Sequence, residues 1–112
     1  MDLHYTDRAK QWGEGFVLIQ QASKRLEEVL GSHSAEVKAE WDRIEDQTGR
    51  ILYTLRISDW IGSVEVQLDL NDLTIPSVLR IRLYRLWGDL LKFRSDEQRR
   101  KVHALVEAGE GG

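Results

Sequence analysis

Few residues of this 112-residue chain have the types and spacing that chemistry requires. The chain contains no cysteine, which excludes disulfides, thiol catalysis and thiolate metal sites. His4, His33 and His103 are far apart, and no two of them have the i, i+4 spacing of a helical metal site. The sequence also lacks a glycine-rich phosphate loop and a G-x-S-x-G nucleophile elbow. We therefore expect a protein that is not an enzyme and that uses no cofactor or metal.

The carboxylates give no sign of catalysis either. Glu40, Asp42, Glu65 and Asp69 fall on the predicted outward face of a sheet, close to arginines. A catalytic acid needs a raised pKa in a cleft of low dielectric constant, which a solvated sheet face does not provide. We interpret these carboxylates as partners in cross-strand ion pairs.

Two large apolar residues, Trp60 and Ile61, stand in a predicted tight turn where Asp, Asn and Gly are usual. They either fold back over the sheet or anchor another protein chain, because tryptophan is a frequent interface hot spot. Ile44 and Leu52 form a weaker candidate, since both point to the predicted solvated face. These four residues are the candidate protein-interaction site.

A basic cluster near the C-terminus supports an alternative. Arg94, Arg99, Arg100 and Lys101 could grip phosphate or nucleic acid, and they make a phosphate-binding regulator the second hypothesis. No aromatic residue lies among Arg99, Arg100 and Lys101, so these three offer no ring on which a base could stack. Residues 1–75 carry 8 basic and 14 acidic side chains, which makes nucleic-acid binding an unfavoured function.

The elements that must position these residues follow from periodicity. Residues 6–30 predict one long amphipathic helix with Thr6 as N-cap and Gly31 as C-terminal cap. Gly13 and Gly15 weaken its first part, and a start nearer Gly15 is the alternative. Alternating apolar residues predict strands within 36–45, 51–58 and 64–70.

Turn lengths fix the expected strand registers. A three-residue turn ending at Gly49 and a four-residue turn over 59–62 bring apolar side chains together on one face. The predicted inner pairs are Ala39 with Ile57, Trp41 with Leu55, Ile57 with Val64, Leu55 with Val66, and Tyr53 with Leu68. The predicted outer pairs are Glu40 with Arg56, Arg56 with Glu65, and Asp69 with Arg80.

Residues 78–84 fit two structures. As a helix they put Arg80 in the middle of the apolar face, where an unpaired buried charge is costly. As a strand they point Arg80 and Arg82 outward, and Pro76 suits the entry to a last strand. We favour the strand, which pairs with the third one. A helical pattern then begins near Arg85, and Ser95 resembles the start of a capping box for a final helix.

The predicted fold class is α+β: a long N-terminal helix, an antiparallel meander of four strands, and one or two C-terminal helices packed on one sheet face. The meander has three strands if residues 78–84 are helical. Residues 1–108 form a single domain and 109–112 a disordered tail. The apolar runs are too short to span a membrane, and no signal peptide is visible, so a cytoplasmic location is expected.

The expected function is that of a small protein-interaction domain of the adaptor, chaperone-like or immunity type. Its order of elements resembles that of the dimeric chaperones of type III secretion and of small nucleoid-associated proteins. The resemblance is one of topology and transfers no site residue. The partner is another protein or a second copy, and a homodimer through a sheet edge or the helices fits the predicted fold.

The registers place Trp41, Leu55, Val66 and Ile81 in one core layer. Leu55→Ala should then reduce the free energy of unfolding by roughly 2–5 kcal/mol, as for other large-to-small core changes. Urea denaturation measures the loss. A negligible loss, or a high exposure of Leu55, contradicts the register.

Overall fold

The computed structural model describes the backbone of residues 1–110 and the side chains of residues 1–100. These described residues form four strands and four α-helices. A 3-10 helix, Gly31–Glu36, connects the second helix to the second strand. The elements are β1 (Asp2–Tyr5), α1 (Asp7–Lys10), α2 (Gly13–Leu30), β2 (Lys38–Glu45), β3 (Ile51–Ser58), β4 (Ser63–Leu68), α3 (Leu70–Thr74) and α4 (Pro76–Glu110).

The fold is α+β, with a mixed four-stranded sheet in the order β1-β2-β3-β4. β2, β3 and β4 form the predicted antiparallel meander, and their registers are confirmed. Trp41 pairs with Leu55, and Leu55 pairs with Val66. The other inner pairs and the outer pairs of Arg56 are also as predicted: Ala39 with Ile57, Ile57 with Val64, Tyr53 with Leu68, Glu40 with Arg56, and Arg56 with Glu65.

The β2–β3 turn forms because two of its residues meet its backbone requirements. Gly49 adopts φ +82° at the third loop position, a conformation that favours glycine. The carboxylate of Asp46 accepts hydrogen bonds from the backbone N–H groups of Thr48 and Arg50, both at 2.9 Å. These contacts fix the loop length and therefore the register of the hairpin.

The fourth strand is not at residues 78–84, so the prediction of a purely antiparallel meander is wrong. It is β1, which lies at the opposite edge and runs parallel to β2, with Leu3 opposite Ala39 and Tyr5 opposite Trp41. A parallel pair needs a crossover connection, which α1 and α2 provide. The long helix is consequently neither the first element nor continuous.

The predicted helix over 6–30 is interrupted after Lys10. Thr6 caps α1 as expected, because its hydroxyl accepts the Ala9 backbone N–H at 3.3 Å. Trp12 takes an extended conformation and begins α2 as its N-cap residue. At the other end, Gly31 adopts φ +56° and caps α2 as predicted.

Residues 78–84 belong to α4, a single helix from Pro76 to Glu110. The inner stripe of α4 consists of leucines and a tryptophan that are buried on the sheet: Leu79, Leu83, Leu86, Trp87 and Leu90. Successive helical residues are about 100° apart, so Arg80 lies beside this stripe rather than within it. It is exposed, and its guanidinium carbon is 5.7 Å from the centroid of the Tyr84 ring.

Three further expectations near α4 are wrong for the same reason. Asp69 does not meet Arg80; it caps α3 and forms an ion pair with Arg50. Ile81 is 58% exposed and does not share the core layer of Leu55, although Trp41 and Leu55 are fully buried. The helix also continues through Ser95 without a new start. The tail prediction for 109–112 remains a prediction, since Gly111 and Gly112 lie outside the described residues.

The core lies between the inner sheet face and the pair α2 and α4, as predicted for helices on one face. Ser23 of α2 is the buried polar residue among the described core residues. Its hydroxyl oxygen lies 2.8 Å from the indole Nε1 of Trp41, which donates to it, and 3.0 Å from the Tyr5 hydroxyl. The same hydroxyl donates to the Ile19 carbonyl at 2.7 Å. This network positions α2 over β1 and β2.

At Gly15 the first turn of α2 touches the sheet directly. A Cβ at this position would lie 1.9 Å from the Tyr53 hydroxyl oxygen and 2.6 Å from the Trp12 ring. A Cβ at Gly13 would meet nothing within 4 Å. The two glycines therefore provide a matched pair within one helical turn.

Gly15→Ala should reduce the free energy of unfolding by roughly 1–3 kcal/mol, the usual cost of overpacking a core. Gly13→Ala should be neutral or stabilising, because alanine favours the helical state by about 1 kcal/mol. Chemical denaturation of both variants provides the comparison. Equal stabilities would show that α2 does not lie this close to Tyr53.

Candidate functional site

The candidate site is the β3–β4 turn, Asp59–Gly62, which carries Trp60 at its tip. The Asp59 backbone N–H donates to the Gly62 carbonyl at 2.9 Å. One carboxylate oxygen of Asp59 accepts the backbone N–H groups of Ile61 at 2.8 Å and Gly62 at 3.0 Å. Asp59 thus satisfies the amides that the chain reversal exposes, as aspartate does in many turns.

The second carboxylate oxygen of Asp59 binds α4. Arg94 donates to it from Nη2 at 2.7 Å and from Nε at 3.1 Å, and Arg94 Nη2 also lies 3.6 Å from a carboxylate oxygen of Glu36. The Asp59 side chain is 0% exposed and that of Arg94 is 18% exposed. Burial raises the pKa of Asp59, but the hydrogen bonds from Arg94, Gly62 and Ile61 and the charge of Arg94 outweigh it, so the pKa is lowered.

A second contact between the turn and α4 is apolar. A Cβ added to Gly62 would lie 2.2 Å from the ring of Phe93, so this ring packs directly on the turn backbone. The turn is therefore attached to α4 by a buried ion pair and an aromatic contact at adjacent helix positions. Its conformation is fixed from within the protein.

Trp60 is the most exposed residue of this turn. Trp60 is 78% exposed. Ile61 is half-buried, so it contributes less than Trp60 to the exposed surface. The exposure of Trp60 agrees with the second of the two sequence interpretations, an accessible apolar side chain at the tip, and not with a tryptophan folded back over the sheet.

The weaker candidates, Ile44 and Leu52, pair with each other across β2 and β3 on the outer face. Both are half-buried. A shallow depression of about 220 Å³ adjoins them, lined by Glu40, Asp42, Ile44, Thr54, Arg56, Glu65 and Gln67. Leu52 lies near the start of β3, and Trp60 lies in the turn beyond Ser58; the strand from Leu52 to Ser58 alone spans about 20 Å. The structure thus does not bring the four interaction candidates together.

The residues of the basic cluster do not form one site either, because two of them bind carboxylates of this protein. Arg94 is engaged by Asp59 and Glu36, and Arg100 donates to Glu97 at 2.9 Å. Arg99 is exposed. The Lys101 side chain lies outside the described residues. The alternative hypothesis thus loses Arg94 as an accessible cation.

Within the described residues no group of three or more His, Cys, Asp or Glu side chains could hold a metal ion. Nor does any helix among them combine the length and apolar composition needed to cross a bilayer. Comparisons with protein families, with curated proteins and with solved structures found no match.

Asp59→Asn keeps an oxygen that can accept the turn amides but removes the charge that faces Arg94. It should reduce the free energy of unfolding by about 1–3 kcal/mol at neutral pH, because a buried charged donor loses its partner. Asp46→Asn, in the other hairpin turn, is the control. Equal losses in the two variants would mean that Arg94 adds nothing to the turn.

The difference between the wild type and Asp59→Asn should depend on pH. Since the pKa of Asp59 is lowered from its usual value near 3.8, its contribution is fully present above that value. It is lost as the pH falls through the folded-state pKa. Urea titrations from pH 7 to pH 2 should therefore show the two proteins converging in acid.

Proposed function

We propose that this protein is a small protein-binding domain whose contact surface is centred on Trp60. The observation that supports the proposal is the 78% exposure of this tryptophan at the tip of a turn. An exposed indole has a large unfavourable contact with water, and burying it in an interface recovers that free energy. Tryptophan is accordingly enriched among interface hot spots.

The construction of the turn supports the same function. Asp59 bonds the turn amides on one side and Arg94 on the other, so little conformational freedom remains to be lost on binding. Preorganisation of this kind raises affinity without adding contacts. The charges nearest the tip neutralise each other inside the protein, which favours recognition by apolar contact over acid–base chemistry.

Trp60→Ser tests the proposal, with Val17→Ser as the matched control. Val17 is a half-exposed apolar residue on α2, so the control removes an exposed apolar side chain elsewhere on the protein. Neither variant should change the far-UV circular dichroism or the melting temperature. Sedimentation velocity measures self-association, and affinity capture from the native source measures partner binding.

Trp60→Ser should abolish the association that the wild type and Val17→Ser share. Loss of folding in Trp60→Ser would show that the indole stabilises the protein rather than a complex. Unchanged folding together with unchanged association and capture would refute the proposed contact surface.

A further inference from the structure

A second surface, independent of Trp60, lies between α2 and the first half of α4. Both helices border an open groove of about 1020 Å³, together with Leu73 and Thr74 of α3. Beyond the groove, His33 of the 3-10 helix lies 5.6 Å from Trp87 of α4, ring centroid to centroid. The groove spans residues 18–29 of α2 and 76–84 of α4.

The groove has an apolar floor and a basic rim. Ala22, Leu79 and Leu83 line its floor and are buried. The cations at the rim are Lys24, Arg25 and Arg80, and the rim acid, Glu28, already forms an ion pair with Arg25 at 3.3 Å. The rim therefore has a net positive charge.

An exposed apolar stripe on α4 continues from this groove. Ile81, Tyr84, Gly88 and Leu91 follow each other at spacings of three, four and three residues, and the three larger ones are 40–58% exposed. A Cβ added to Gly88 would meet nothing within 4 Å. This spacing is typical of the seam between two packed helices, and a glycine within it allows a close approach. Helix α4 is thus apolar on a second side.

Cations lie on both sides of the stripe. Arg80 precedes Ile81, while Arg85 and Lys92 each follow a seam residue at the position that borders a coiled-coil interface. Successive helical residues are about 100° apart, so Asp89 lies on the side of α4 away from the stripe. A helix packed on this seam would therefore meet positive charge along both of its borders.

We propose that the groove and the stripe bind an amphipathic helix of another protein, with acidic residues beside its apolar seam. A second copy of this chain fits poorly, because pairing the stripe with itself places Arg80, Arg85 and Lys92 against one another. Like charges at such positions select against self-pairing, and opposite charges select for a partner. The α2 wall, residues 18–29, is about 18 Å long, and the α4 side with its stripe runs from residue 76 to residue 91, about 24 Å, so a segment of roughly 16 residues fills the site.

The test uses three synthetic peptides of three heptads each. The first has leucines at its seam and glutamates at the bordering positions. The second replaces those glutamates with lysines, and the third keeps the glutamates but replaces the leucines with glutamines. Fluorescence anisotropy at low salt measures their dissociation constants for the full-length protein. Only the first peptide should bind.

Charge reversal then identifies the site. The triple variant Arg80→Glu, Arg85→Glu, Lys92→Glu should weaken binding of the first peptide at least about tenfold and favour the lysine peptide. The control triple variant Lys10→Glu, Lys38→Glu, Arg99→Glu has the same net charge but alters exposed residues outside the groove. It should bind like the wild type. Trp60→Ser should also bind the peptide like the wild type, which separates this proposal from the previous one.

Three results would overturn the proposal. If the glutamine-substituted peptide bound as tightly as the first, binding would be a nonspecific effect of charge and would not depend on the apolar seam. Equal weakening by the two triple variants would show that the groove is not the site. Self-association that Tyr84→Ser abolishes would make a second copy the occupant instead.

Discussion

The burial of one sheet face by two helices is the constraint on which the rest of this structure depends. The inner residues of β2, β3 and β4 alternate with polar ones, so only one face needs cover. Helix α2 covers the side near β1 through the Ser23 network, and α4 covers the side near β4 through its leucines. The edge strand, the crossover and the turn attachment all serve to place these two helices.

The meander was predictable because strand periodicity and turn length are local. Alternation within β3, together with the left-handed Gly49, leaves only one register that buries the inner side chains. Residues 78–84 were not predictable on that basis, since their apolar spacing fits both a strand and a helix. Their structure depends on distant residues, because the inner sheet surface beside α2 is covered by the leucines of these and the following residues in helical form. The alternation of Leu3 and Tyr5 with polar neighbours was the available indication of β1.

The candidate site likewise has one part that the sequence indicates and another that it does not. The sequence shows a tryptophan in a short turn, but it left open whether the side chain folds back over the sheet or is exposed, and the structure shows that it is exposed. The ion pair between Asp59 and Arg94 joins residues 35 positions apart, and no local pattern connects them. Arg94 therefore resembled a member of a phosphate-binding cluster, although its role in the structure is to attach the turn to α4. The groove likewise became recognisable only once residues 78–84 were known to be helical.

The parallel edge strand has a consequence for synthesis on the ribosome. β1 emerges before the whole crossover, and its pairing partner β2 begins only at Lys38. The sheet then remains half uncovered until the leucines of α4 emerge. Because this cover arrives after all four strands, a nascent chain exposes the inner sheet face in the interval, when aggregation and chaperone capture compete with folding. Rapid synthesis of residues 76–90 is thus part of what protects this fold.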